Sequence, residues 1–327
     1  MRFAAVPLDR AEGAILAHSV DLPKGRLRKG RWLDGDDIAH LRDAGIETVT
    51  VAQLDDTDVH EDTAAARLAA ALIEGGRALR VSKAATGRVN LYAKAGGVVQ
   101  IDTGAIDAIN RLDPAITVAT LPPFHWADEG MMIATIKIIP YAVEGGALAR
   151  AEALAGGALS LATTALRKAA FIETTGGKDL GEKGARAIAD RLTALGVAMA
   201  QPVRVPHDEA PLAEAIGNAQ GDVILILTAT ATSDAADVAP AALRRAGGRV
   251  HHYGMPVDPG NLLFLGDLAG RPVIGLPGCV RSPALNGADW VLQRVVCGLS
   301  VTGDDIMGMG VGGLLKEIPT RPRPREG

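Results

Sequence analysis

Residues 222–227, DVILIL, form an apolar run broken by no polar residue after the first acid, and no other stretch limits the fold so tightly. A strand with one solvated face alternates apolar and polar residues. One that is apolar throughout has both faces covered, as in a parallel sheet between layers of helix. The flanking segments fit that arrangement. KAAFIETT (168–175) reads as a strand, and GEKGARAIADRLTALG (181–196) as a helix with Ala185, Ile188, Leu192 and Leu195 on one face. VAMAQPVRV (197–205) reads as a strand, and DEAPLAEAIGNAQ (208–220) as a helix capped by Asp208. DVAPAALRRAGG (237–248) is a short helix, and RVHHYG (249–254) and PVIGL (272–276) are strands. SPALNGADWVLQRVVCGL (282–299) closes the series as a helix, with Ser282 expected as N-cap and Pro283 as first residue. Such alternation predicts an α/β fold: a C-terminal doubly wound, mostly parallel sheet. Ligands of such sheets sit at the carboxyl ends of the strands.

The first 150 residues read differently. Asp34 is expected to cap a helix that Gly45 ends, and ETVTVAQL (47–54) alternates as a strand. HEDTAAARLAAALIEGG (60–76) is a second helix; beyond it the β-branched segments AITVATLPPF (115–124) and MMIATIKIIPYAV (131–143) suggest a sheet or partial barrel. The expected organisation is a smaller N-terminal mixed α+β domain over 1–150, a helical connector over 151–167 broken near Gly156 and Gly157, and the α/β domain over 168–327. The tail PTRPRPREG is expected to be extended or disordered.

Composition removes several function classes. Aromatics are 3% of 327 residues, too few for a surface that stacks single-stranded bases. The net charge of −4 gives no electrostatic reason for nucleic acid or an anionic membrane as partner. Two cysteines, Cys279 and Cys297, make neither a disulfide framework nor a cysteine zinc site. Neither a signal peptide nor a run of about 18 uncharged apolar residues is present, so a cytoplasmic protein is expected.

Three loops leave carboxyl ends of the expected parallel strands: ETTGGKD (173–179), TATATSDAAD (228–237) and PGCVRS (277–282). Thr228, Thr230, Thr232 and Ser233 offer hydroxyls. Asp234 and Asp237 are suited to hold a metal or orient a nucleophile, although Asp237 reads on local pattern as the N-cap of VAPAALRRA. Gly278 and Ser282 stand where the expected last helix would present N–H groups to an anion. Cys279 lies in the same loop, with no partner base in view. His251 and His252 alternate on a strand and have no third ligand at diagnostic spacing.

Three stretches carry a resemblance. DVILILTATATSDAADVAP, GMPVDPGNLLFLGDLAGRPVIGLPG and LPGCVRS together resemble the molybdopterin-binding domain of molybdenum-cofactor biosynthesis proteins, over roughly 168–300. That family includes molybdopterin adenylyltransferases and molybdotransferases. LRKGRWLDGDDIAHLRDAGIETVTV is similar to a segment that precedes this domain in the molybdotransferases. The resemblance implies a pterin dithiolene phosphate across the carboxyl edge of the sheet, with magnesium and ATP or molybdate as co-substrates. It implies homo-oligomers and other molybdenum-cofactor proteins as partners.

Asp237 matches the acid of the family's Asp-Val-x-Pro and Ser282 the serine of its last loop. The expected site is Asp237 as catalytic and metal residue, with Thr228, Thr230, Thr232, Ser233, Asp234, Gly278, Cys279, Arg281 and Ser282 holding the ligand; Cys279 and Arg281 are departures from the family's last loop. The chain departs from the family where adenylyltransferases carry Gly-Gly-Thr-Gly, having Ala229, Thr230, Ala231 and Thr232. Side chains there raise the cost of close backbone approach to phosphate. Arg281 either offsets that loss by pairing with phosphate or is an ordinary surface arginine. A transferase, a non-catalytic carrier or sensor, and a domain for another nucleotide-like anion all remain open.

Overall fold

The computed structural model describes residues 1–23, 25–76, 78–176, 182–258 and 260–315. The chain divides into two compact units, one of residues 1–95 and 99–161, the other of 96–98 and 162–327.

The N-terminal unit is a mixed assembly of small sheets and helices. Arg2–Pro7, Thr48–Gln53 and Ile15–Leu16 form one antiparallel sheet. The helix Gly35–Asp43 starts at Asp34, whose carboxylate accepts the Asp37 N–H at 2.8 Å, while Asp37 reaches back to the Asp34 N–H. This reciprocal cap satisfies two otherwise orphaned donors. A second sheet orders Ile116–Thr120, Met132–Ile138, Arg88–Ala93 and Leu79–Val81, all antiparallel. Helix Glu61–Leu72 buries Ala65, Leu68, Ala69 and Leu72 in one core with Val89, Leu91, Ile136 and Ile138 of that sheet. The expected helical connector is helical only to Ala155; Leu159–Thr163 is a strand. Gly156 and Gly157 end the helix, Gly157 at φ +74°, and the Leu-Ser-Leu alternation then favours the strand.

In the C-terminal unit we number the strands and helices of the main α/β layer. They are β1 (Lys168–Thr175), α1 (Lys183–Ala194), β2 (Ala198–Met199), β3 (Val203–Pro206), α2 (Glu209–Asn218), β4 (Val223–Leu227), α3 (Val238–Arg245), β5 (Arg249–Met255), β6 (Asn261–Leu268), β7 (Arg271–Leu276) and α4 (Gly287–Val296). The sheet runs β2-β1-β4-β7-β6-β5, with β3 pairing β1 beside β2. β1, β2, β3, β4 and β7 are mutually parallel where they pair, and β6 and β5 add an antiparallel edge.

Every residue of β4 is buried, as its unbroken apolar sequence requires. Ile224 and Ile226 share a core with Leu212 and Ile216 of α2 and Leu243 of α3. The alternate residues Phe171, Leu225 and Ile274 are also buried, on the side where α1 lies against β1 and α4 against β7. The expected strand 197–205 is two short strands, broken at Ala200–Pro202. Pro202 has no N–H to donate to a ladder there.

Register aligns the carboxyl ends. Glu173 of β1 lies beside Arg204 of β3 and Leu227 of β4, and Leu227 beside Leu276 of β7. The chain therefore leaves three neighbouring strands at one level. Among the described residues no helix is long and apolar enough to cross a membrane.

Candidate functional site

The rim above Glu173, Leu227 and Leu276 is tied together by one carboxylate. Glu173 is 1% exposed, and its two oxygens each meet a guanidinium: Arg281 Nη1 at 2.9 Å and Arg204 Nε at 3.2 Å. Arg281 also donates through Nη2 to the Thr228 carbonyl at 3.0 Å, while Arg204 Nη2 donates to Glu182 at 3.0 Å. A buried carboxylate is tolerable only when paired and hydrogen-bonded, and this one is both. Gly184, in the first turn of α1, makes room for the pair. A Cβ there would lie 2.5 Å from Arg281 Nη1 and 2.8 Å from Glu173 Oε1. Arg281 thus joins the ends of β1, β4 and β7, and its side chain stays 23% exposed.

The Thr228–Asp237 loop is held by its own hydroxyls and by neighbours. Thr228 Oγ1 donates to the Thr230 carbonyl at 2.6 Å. The Ala229 N–H donates to Thr174 Oγ1 at 2.8 Å. His207, just beyond β3, bridges Thr174 Oγ1 through Nδ1 at 2.9 Å and Thr230 Oγ1 through Nε2 at 2.8 Å. Tyr253 of β5 donates its hydroxyl to the Thr232 carbonyl at 2.8 Å. Burial, and then the nearby Asp234 and Asp237 carboxylates, push the Tyr253 hydroxyl's pKa upward.

Asp237 is the N-cap of α3. Its Oδ1 accepts the Val238 N–H at 2.7 Å and its Oδ2 the Ser233 N–H at 2.8 Å. Asp234 Oδ1 accepts the Ala236 N–H at 2.7 Å, which rounds off the same turn. Among the described residues no three His, Cys, Asp or Glu side chains gather where a metal ion would be held. This donor set does not fit a divalent cation.

The third loop corrects one expectation outright. Ser282 does not cap a helix. Gly278–Arg281 is a single 3-10 turn that Ser282 ends, and α4 begins five residues later behind Asn286. Asn286 Oδ1 accepts the Ala288 N–H at 3.0 Å, and Asp289 accepts the Asn286 N–H at 2.8 Å. The Asn-x-x-Asp box outcompetes Ser-Pro because it satisfies donors at both of its ends. Cys279 Sγ accepts from Asn286 Nδ2 at 2.7 Å.

The structure thus brings Thr228 and Arg281 into contact around Glu173, and joins Thr230 to Thr174 through His207. The Thr232 hydroxyl meets that of Thr228 at 3.5 Å, and Thr232, Ser233, Asp234 and Asp237 lie toward Tyr253; among the described residues no hydrogen bond or ion pair joins these four to Ser282. Gly177, Lys178 and Asp179 of the first loop, and the tail 319–327, lie outside the described residues. Sequence reasoning missed Glu173, Arg204, His207 and Tyr253. For Glu173 the signal was present: an acid that directly follows the apolar run Ala169–Ile172 within one strand.

A mostly parallel α/β layer that gathers three strand ends around a partly exposed guanidinium defines a domain of the open-sheet class, whose ligands as a class sit at that edge. Two family profiles match the chain and make this narrower. Residues 178–296 match the family described as "probable molybdopterin binding domain". Residues 5–53 match a family described as a domain of unknown function (DUF8806). No curated protein matches the chain.

Proposed function

We propose that this chain binds a phosphate-bearing pterin of the molybdopterin type at the carboxyl edge of its parallel sheet, and holds it without transferring a nucleotide or molybdate. The observation that carries the reading is Arg281, a guanidinium fixed at the junction of β1, β4 and β7 inside the family-matched segment. Its planar donors suit a phosphate oxygen, and its tie to Glu173 removes the entropic cost of finding that position. Thr230 and Ser282 are the neighbouring hydroxyls. Three facts speak for holding rather than transfer. The glycines expected of an adenylyltransferase loop are replaced by Ala229–Thr232. That loop's hydroxyls close on the protein itself. Asp237 has both oxygens on backbone N–H groups.

Calorimetric titration with molybdopterin, and separately with ATP and magnesium, tests this. Pterin binding that Arg281→Ala weakens roughly 10- to 100-fold is expected, the loss of one charge-assisted contact. ATP with magnesium is expected to give no heat. Adenylyl transfer by the purified chain, or an Arg281→Ala variant with undiminished affinity, would overturn the proposal.

A further inference from the structure

α1 carries Arg191 near its end, with the side chain only 12% exposed. A guanidinium has five N–H donors, and each of these meets an acceptor. Nε donates to Asp289 Oδ1 at 2.7 Å. Nη1 donates to the carbonyls of Ala187 at 3.1 Å and Val280 at 2.9 Å. Nη2 donates to the carbonyls of Ser282 at 2.8 Å and Ala284 at 3.1 Å. Three of the five acceptors are therefore alternate carbonyls of one irregular segment. In a trans peptide the carbonyl and the following N–H point opposite ways. The Val280, Ser282 and Ala284 carbonyls face Arg191, so the N–H groups of Arg281 and Leu285 turn away from it.

We propose that Arg191 is the positioning residue for the anion end of the ligand, a role that rests on the pterin-phosphate reading above. It fixes the backbone of Val280–Ala284, and through that backbone it aims the Arg281 guanidinium at Glu173 and the Thr228 carbonyl. Asp289 beside it balances its charge, so Arg191 acts by geometry and not by attracting the phosphate. Lysine cannot replace it, because three donors on one nitrogen do not span carbonyls two residues apart along the chain.

The test uses the full chain and two probes, hydroxymethylpterin monophosphate and phosphate-free hydroxymethylpterin, titrated by calorimetry. Arg191→Ala is expected to weaken the phosphorylated probe by about tenfold or more, the usual scale for a lost charged contact, and to leave the other unchanged. Millimolar methylguanidinium is expected to restore the phosphorylated probe's affinity, and Arg191→Lys to behave as Arg191→Ala. Amide exchange at Arg281 is expected to quicken in Arg191→Ala and slow again with methylguanidinium. The salt dependence of binding is expected to match the wild type. A wild type that prefers the phosphorylated probe, with Arg191→Lys keeping that preference, overturns the role of Arg191 alone. A wild type that binds both probes equally overturns the pterin-phosphate reading and this role with it. Should Arg191→Ala not fold, Arg191→Lys decides.

Discussion

At the amino ends of β1 and β4, Asp222 accepts the N–H groups of Arg167 and Lys168 at 2.7 and 2.9 Å. At the carboxyl ends of the same strands, Glu173 accepts from the side chains of Arg281 and Arg204. Each edge is tied by a single carboxylate, but the donors differ. Backbone donors carry no net charge and cannot be redirected. Guanidinium donors bring two positive charges to the rim and leave part of each side chain in contact with solvent. The amino edge is thereby a closed junction, while at the carboxyl edge two guanidiniums balance Glu173 and Glu182 and stay partly open to solvent. Parallel strands alone do not make one end of a sheet a ligand site; what ties the strands at that end does.

The sharpest way to break the comparison is Glu173→Ala. It strands a partly buried guanidinium at the rim, and a loss of about 3 kcal/mol in urea unfolding is expected, with pterin binding abolished. Next come two glycine substitutions, one at each edge. Gly184→Ala would be mildly favourable on an open helix face, but here its Cβ meets Arg281 and Glu173. At Gly221, beside the amino edge, a Cβ would lie 2.6 Å from the Ala170 nitrogen. Each is expected to cost about 1–3 kcal/mol in the same assay. Only Gly184→Ala is expected to weaken the ligand as well, and equal effects on binding would erase the distinction between the edges.

Asp222→Asn is expected to cost less, and to change how stability varies with pH. The two backbone donors, Arg167 first, hold the Asp222 carboxyl below its usual range. Its stabilisation is therefore complete above the ordinary aspartate value of about 3.9 and is lost as the pH falls through the lower folded value. Acid unfolding curves of the wild type and Asp222→Asn should converge at low pH. The smallest effect is expected for Tyr253→Phe, about 1 kcal/mol for one hydrogen bond. Burial raises both Tyr253 and Tyr141 among the three tyrosines. The contribution of Tyr253 is present below the ordinary value of about 10 and is lost as the pH rises through the folded value. Ultraviolet titration should show late ionisation of two tyrosines in the wild type and of one in Tyr253→Phe.

Much of the layer was legible in the sequence because it depends on local pattern. The run Val223–Leu227 demanded two covered faces, and Asp34 and Asp208 cap the helices their positions announced. The last loop misled because Ser282-Pro283 imitates a helix start, while the stronger box, Asn286 to Asp289, holds a glycine, Gly287, that hides it. The hydroxyls of Thr228 and Thr230 were legible as residues but not as partners, since His207 and Thr174 come from other strand ends. Glu173 and Arg191 show the limit most clearly. Each sits in a segment whose pattern is complete without it, and each has a charged partner about a hundred residues further along, Arg281 for Glu173 and Asp289 for Arg191. Periodicity reports which side of an element is buried; it holds no record of what a polar residue meets across the fold.

The five-donor clamp of Arg191 has a consequence for the order in which this protein matures. The arginine belongs to the first helix of its layer and three of its acceptors to the segment that precedes the last, 89 to 93 residues later. Contacts that close such long intervals form late, because the intervening chain must first give up its freedom. A nascent or partly opened molecule can therefore own its sheet and still lack a receptive rim. A ligand that needs this rim, as proposed above, would bind only once the whole layer, and not merely its centre, has been assembled.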